Sequence, residues 1–223
     1  MRPQRPSDPT IGTDVMPTPG RLISFEGIDG SGKSTQARLL AEHLRAQGGD
    51  PVLTREPGGS AGAEEIRRLL VEGDPDRWSP ETELLLFTAA RRDHLERTIA
   101  PALAAGRDVI TDRFADSTRI YQGATRGDLR GLVDKLHTLM IGREPDLTVI
   151  IDMPPELALR RGLARQSGED RFEEFGLPFQ TALHAGFRAL AAAAPERCVL
   201  VDGNRAPEAV ARDVRTAWEG MPA

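Results

Sequence analysis

The chain of 223 residues is short of several things, and each shortage excludes something. It holds one cysteine, Cys198, so no internal disulfide can form, which suits a reducing cytoplasm. Cys198 lies within Arg197-Cys198-Val199-Leu200-Val201 and reads as a small buried apolar residue. No apolar run approaches the roughly 18 residues that a membrane span requires. There is no excess of positive charge. With 29 Lys and Arg against 34 Asp and Glu, the formal net charge is -5, so a broad basic surface for nucleic acid is not expected. Small anionic ligands, which need only a few local cations, stay open. Hydrophobic residues at 39% and charged residues at 28% are those of a globular chain, and the length suits one α/β domain with a full core.

Met1 to Gly20 lack a periodic apolar pattern and carry Pro3, Pro6, Pro9, Pro17 and Pro19. They contain no uninterrupted apolar stretch of the kind a secretory signal needs, and they read as a disordered tail, with Met16 as an alternative start. The domain is expected over residues 21–223. There, short apolar runs alternate with helical patterns. Strands are expected at Leu22–Phe25, Pro51–Thr54, Asp108–Thr111, Leu147–Ile151 and Val199–Val201. Helices are expected at Lys33–Gln47, Ala63–Val71, Pro80–Ala105, Leu129–Ile141, Pro155–Ala164, Leu177–Ala194 and Pro207–Glu219. The β-branched run at 147–151 suits a strand covered on both faces. The alternation predicts an α/β fold, a doubly wound parallel sheet of about five strands, with ligands at the carboxyl ends of the strands.

Gly27-Ile28-Asp29-Gly30-Ser31-Gly32-Lys33-Ser34 follows the first strand and opens the first helix, the setting that G-x-x-x-x-G-K-[ST] requires. The glycines let backbone N–H groups close around phosphate oxygens, and the helix N-terminus adds its positive end. Lys33 supplies a charge to the β- and γ-phosphates, Ser34 a hydroxyl for Mg²⁺, and Thr35 continues the cradle. Such a loop serves kinases, switches and motors alike. Three further segments indicate a phosphorylated acceptor: Arg55 in Arg55-Glu56-Pro57-Gly58-Gly59, Asp112-Arg113 after the third strand, and a polar segment at about 163–175 flanked by Arg160, Arg161, Arg165 and Arg171. The first offers a bidentate phosphate grip. The second offers a carboxylate near Mg²⁺ and another guanidinium. The third has the character of a lid that excludes water. Each of them also fits a solvated charged surface when taken singly. No catalytic histidine is needed by a dianionic phosphate acceptor, and His43, His94, His137 and His184, all within helical patterns, are expected to be structural or exposed.

The ordered set of the phosphate loop, Thr54-Arg55-Glu56-Pro57-Gly58-Gly59, Phe87-Thr88-Ala89-Ala90-Arg91, Asp112-Arg113-Phe114 with Ser117, and Tyr121-Gln122-Gly123 resembles the bacterial thymidylate kinase family from Arg21 to about Glu219. The resemblance implies a P-loop nucleotide kinase with a basic lid that phosphorylates dTMP with ATP and Mg²⁺, a cytoplasmic location and a homodimer. By the same resemblance Asp29 holds the deoxyribose 3′-hydroxyl, and Arg55 and Arg113 hold the monophosphate. Phe87 stacks on thymine, and Arg91, one turn later on the same helix face, bonds its O4. Ser117, Thr118 and Gln122 border the base, and Tyr121 packs near C2′. Asp202–Pro207 lies beside the adenine. Ser34 and Asp112 are the expected metal-side residues, and Lys33, Arg113 and Arg165 the catalytic ones, with Arg161 and Arg171 as rivals to Arg165. The loop is neutral at Gly30 where some family members are basic, which matches the basic-lid form. Open alternatives are a kinase for another nucleotide or a deoxynucleoside, and an NTP-hydrolysing switch, although the chain has no guanine-reading Asn-Lys-x-Asp segment.

Overall fold

A computed structural model describes residues 19–73, 77–124, 129–163 and 176–221. The tail expected over the first 20 residues falls almost wholly outside the described residues, and the segment at 164–175, with Arg165 and Arg171, falls outside them too. Five strands, β1 (Leu22–Glu26), β2 (Val52–Arg55), β3 (Val109–Asp112), β4 (Leu147–Asp152) and β5 (Cys198–Asp202), form one sheet in the order β2-β3-β1-β4-β5. Every pairing is parallel, with Phe25 opposite Asp112 on one side and Val149 on the other.

All five strands are found where they are expected, and each ends one residue beyond its expected end. Their final residues are Glu26, Arg55, Asp112, Asp152 and Asp202. The carboxyl edge of the sheet is thus a row of charged side chains. Alternation along β1 and β4 sends Ile23, Phe25, Val149 and Ile151 to one face, against Leu40 and Leu44 of α1 (Lys33–Ala46) and Val210 and Val214 of α9 (Pro207–Glu219). On the other face Ile150 packs with Ile120, Leu183 and Phe187. Ser24 and Thr148, buried there, satisfy one another at 3.0 Å between hydroxyls.

Helix α2 spans Ala61–Val71, and α3 spans Pro80–His94. The single long helix expected to Ala105 runs through a wider π-helical turn at Leu95–Ile99 into α4 (Ala100–Ala104). Pro101 accounts for the change. It brings no N–H to the ladder and its ring crowds the preceding turn, so an extra residue in that turn relieves both problems. A similar wide turn at His137–Ile141 closes α6 (Arg130–Leu136) before Gly142, which takes φ 62°.

One helix was not expected: α5, Ala115–Ala124. Its sequence, Ala-Asp-Ser-Thr-Arg-Ile-Tyr-Gln-Gly-Ala, lacks an apolar stripe, yet Asp116, Ser117, Thr118, Arg119 and Gln122 are all buried. They are buried as partners. Asp116, with no exposed surface, accepts from Arg119 Nη1 at 2.8 Å and from Arg197 Nη1 at 2.6 Å. Gln122 donates to Glu83 at 2.9 Å. This helix is held by tertiary hydrogen bonds, which a hydrophobic pattern does not record. The remaining helices are α7 (Pro155–Leu163) and α8 (Gly176–Ala193).

Candidate active site

The loop at 27–32 leaves β1 and delivers its chain to the N-terminus of α1. Gly27, Gly30 and Gly32 have φ of 129°, 79° and 105°, so this path is open to glycine and strained for other residues. At Gly30 the need is doubled, because a Cβ there would run into the carbonyl of Ala158 on α7. No side chain caps α1 and no acidic residue occupies its first turn, which leaves its N–H groups and dipole end to an anion. Gly27, Ile28 and Ser31, with Gly30, are the buried residues of this loop. Thr35 is half-buried on α1. Lys33, 6% exposed, donates to Ile28 O at 2.8 Å. Burial, and then the charge of Arg113, press its pKa down to about 8, although Asp29, Asp112 and Glu26 pull the other way.

Beside the loop is a cavity of about 250 Å³. Every residue expected to meet the acceptor lines it: Asp29, Arg55, Phe87, Arg91, Arg113, Ser117, Thr118, Tyr121 and Gln122. Lys33, Ser34 and Asp112 line it as well. Parallel strands make this possible, since β1, β2 and β3 all release their chains at one edge. Arg113 is the hub. It adopts φ 71°, the left-handed region, which costs an L-residue about 1–2 kcal/mol. Its Nη1 donates to Ser117 Oγ at 2.9 Å, and its Nη2 donates to Tyr121 OH at 3.2 Å and to Asp29 Oδ1. Tyr121 OH in turn donates to Asp29 Oδ2 at 2.9 Å. Burial alone would raise the Asp29 pKa, but the charges of Arg113 and Lys33 outweigh it and hold the carboxylate below its usual range.

Phe87 is half-buried at the cavity wall, and Arg91, four residues on, lies below it. Arg91 is 5% exposed and tightly held. Its Nε donates to Glu56 Oε2 at 2.6 Å, and its Nη2 donates to Phe114 O at 3.1 Å and Thr118 Oγ1 at 2.9 Å. Glu56 also meets His94 Nδ1 at 3.0 Å, and His94 Nε2 reaches Thr54 Oγ1 at 2.8 Å. His94 is therefore a buried structural residue, as expected. His184 pairs with Asp152 at 2.6 Å. Arg55 is 55% exposed at the cavity mouth and pairs with Glu64 at 3.3 Å.

Of the two residues expected beside a metal, the Ser34 hydroxyl donates to Asp112 Oδ2, while Asp112 Oδ1 is buried with no hydrogen-bond partner among the described residues. The loop after β5 is tied to α1 by Gln36 Nε2, which donates to Pro207 O at 3.1 Å. Arg161 is on the exposed face of α7.

Three residues of the site were not singled out from the sequence. Arg67 of α2 borders the cavity and donates to Pro57 O, but next to Arg68 nothing local marks it. Glu56 lies inside a segment that was singled out, yet its contact to Arg91 forms only in the fold. Glu26, at the end of β1, has no local signature.

A parallel sheet in this order, a phosphate loop between β1 and α1, and an arginine-walled cavity at the same edge define a P-loop nucleotide kinase, a phosphotransferase. A sequence profile of the family described as Thymidylate kinase matches residues 25–214. The thymidylate kinase of Dinoroseobacter shibae is 83% identical over 199 residues, covering 89% of this chain and 96% of that one. That of a Jannaschia species is 72% identical over 198 residues, covering 89% and 95%. The crystal structure of thymidylate kinase from Ehrlichia chaffeensis superposes with a TM-score of 0.72 at 37% identity, covering 90% of this chain and 99% of that one. The chain belongs to the thymidylate kinase family, whose reaction is the ATP-dependent phosphorylation of dTMP to dTDP.

Proposed function

We propose that the cavity beside the phosphate loop holds dTMP end to end with ATP. The observation that carries this reading is the convergence on one cavity of Phe87 and Arg91 with Arg55, Arg113 and Lys33. The loop N–H groups and Lys33 hold the β- and γ-phosphates of ATP. Arg55 and Arg113 hold the acceptor phosphate. Asp29 takes the sugar 3′-hydroxyl, and Tyr121 closes the space near C2′. Phe87 stacks on the base while Arg91, Ser117, Thr118 and Gln122 bond its edge. Arg165, from the segment at 163–175 acting as a lid, reaches the transferred group.

An oxygen of the acceptor phosphate forms the new bond to the γ-phosphorus, and the bond to the β-γ bridging oxygen breaks, releasing ADP. The acceptor is largely dianionic at neutral pH because its second pKa is near 6, so no general base is required. The transition state is loose and its charge is spread over the transferred oxygens, so fixed cations do most of the work.

Ser34 and Asp112 fit a bound Mg²⁺. They bring two hard oxygen donors to the phosphate side, one of them Asp112 Oδ1, which has no partner among the described residues, and a magnesium ion characteristically completes its shell with phosphate oxygens and water. When bound, the ion neutralises charge on the β- and γ-phosphates.

Leu85, Leu139 and Met140 are 57%, 74% and 45% exposed on α3 and the turn after α6, an apolar surface that supports a homodimer. The domain is taken as 21–223 and the location as cytoplasmic, in keeping with a single buried cysteine. Turnover of dTMP, dUMP, dCMP, dGMP and thymidine with Mg-ATP tests the pocket. dTMP should be fastest, and Phe87→Ala and Arg113→Ala should raise KM for dTMP while leaving KM for ATP nearly unchanged. Equal effects on both nucleotides would contradict the assignment. Leu139→Glu should shift the light-scattering mass from dimer to monomer, and an unchanged mass would remove that face from the interface.

A further inference from the structure

Glu26 lies one residue before the phosphate loop, has no exposed surface and does not line the cavity. Its carboxylate is nonetheless fully engaged, and every donor comes from the segment that carries Arg113. Oε1 accepts from Phe114 N at 2.8 Å and Ser117 N at 3.2 Å, and Oε2 accepts from Ser117 Oγ at 2.5 Å. The two N–H groups are at the start of α5, where no intrahelical partner exists, so Glu26 caps this helix from a strand 88 residues earlier in the chain.

The third bond has a different consequence. A serine hydroxyl has one proton. With that proton on Glu26, the oxygen keeps its lone pairs for the Arg113 Nη1 donor at 2.9 Å. The chain of donors then runs one way, from Arg113 to Ser117 to Glu26. The same carboxylate fixes the Phe114 N–H, so it also holds the peptide that follows Arg113 in its left-handed conformation, together with Arg113 N donating to Phe25 O at 2.9 Å and Thr111 Oγ1 donating to Arg113 O at 2.8 Å.

We propose that Glu26 is a positioning residue for the acceptor-phosphate arginine, acting through the Ser117 hydroxyl to aim the Arg113 guanidinium into the cavity. A carboxylate at this place is costly. Burial first, and then the nearby Asp116 carboxylate, push its pKa up to about 7 against the pull of Ser117, Arg113 and Phe114 N–H. A cap alone would be met as well by a neutral side chain. The inference rests on the reading that Arg113 binds the acceptor phosphate.

The test is a double-variant cycle on the full chain, with dTMP and ATP affinities from calorimetry and thermal melts alongside. Glu26→Gln, nearly isosteric, should weaken dTMP about tenfold and change ATP affinity less than about twofold. In an Arg113→Ala background the same change should cost dTMP less than about twofold, because the guanidinium it aims is gone. Additive effects, equal losses for both nucleotides, or unchanged dTMP affinity in Glu26→Gln would overturn the positioning role. If Glu26→Gln does not fold, Glu26→Asp in the same cycle decides, since it draws the carboxylate back from Ser117 Oγ without touching a residue that lines the cavity; a dTMP loss that persists without Arg113 would refute the relay. An Arg113→Ala protein that binds dTMP normally would instead reject the role of Arg113 itself.

Discussion

Arg91→Ala separates recognition from architecture. Arg91 and Glu56 are 5% and 3% exposed, and their contact of 2.6 Å is a buried ion pair. Removing one member of such a pair leaves a charge in the interior and costs about 3–5 kcal/mol. For a chain of this size that corresponds to a fall in Tm of roughly 6–20 °C. The protein should still fold, since domains carry about 5–15 kcal/mol in all. After the change Glu56 keeps, among the described residues, the side chain of His94 at 3.0 Å. Replacing Glu56 by Gln in the same chain removes the stranded charge and should recover about half of the loss. Binding of dTMP should stay weak in both variants, because the group proposed to bond the base is absent from both.

The pH dependence carries its own sign. In the native protein burial acts to raise the Glu56 pKa, but Arg91 and His94 outweigh it and hold it below 4.5. The stability it contributes is therefore present above the unfolded pKa and lost as pH falls through the folded one. Without Arg91 the burial effect dominates and the folded pKa rises above the unfolded one. Stability then falls as pH climbs past about 4.5, so the deficit of Arg91→Ala should be widest near pH 8 and narrow toward pH 5. Thermal melts without nucleotide at pH 5, 6.5 and 8, with dTMP calorimetry on the single and double variants, test both claims. A Tm within about 2 °C of the parent at pH 8 would refute the energetics. A double variant that regains dTMP affinity along with stability would refute a direct role in recognition.

Lys33→Met should abolish phosphoryl transfer without lowering the melting temperature of the nucleotide-free protein. Its folded pKa of about 8 lies below the unfolded value near 10.5, so burying the charge costs up to roughly 3 kcal/mol at neutral pH, relieved as pH rises from 8 to 10.5. A Tm several degrees lower at pH 7 would show that the lysine supports the fold instead. Gly30→Ala meets both a φ of 79° and the Ala158 carbonyl, and should cost about 2 kcal/mol or more together with most ATP affinity. Retained ATP binding by calorimetry would mean that the loop relaxes around the added methyl.

What could be read from the chain, and what could not, divides by the distance over which each feature is defined. The phosphate loop is complete within eight residues, and β1 and β4 announce themselves by apolar runs, so both were legible. The strand ends were not. Each strand runs one residue past its expected end, and the added residue is charged, as at Glu26, Arg55 and Asp112. Helix α5 was missed for a related reason, because much of its buried face is made of Asp116, Ser117, Thr118 and Gln122, which find partners on other elements. Nor could local reading assign Glu26 and Glu56. Glu26 meets Ser117 across 91 residues, and Glu56 meets Arg91 across 35. The residues proposed to touch nucleotide belong to short motifs, whereas the carboxylates that orient them are defined only by the register of parallel strands. Altering a nucleotide-facing residue should therefore act on one ligand. Altering an orienting carboxylate should act through the arginine it holds, and its effect should vanish when that arginine is removed.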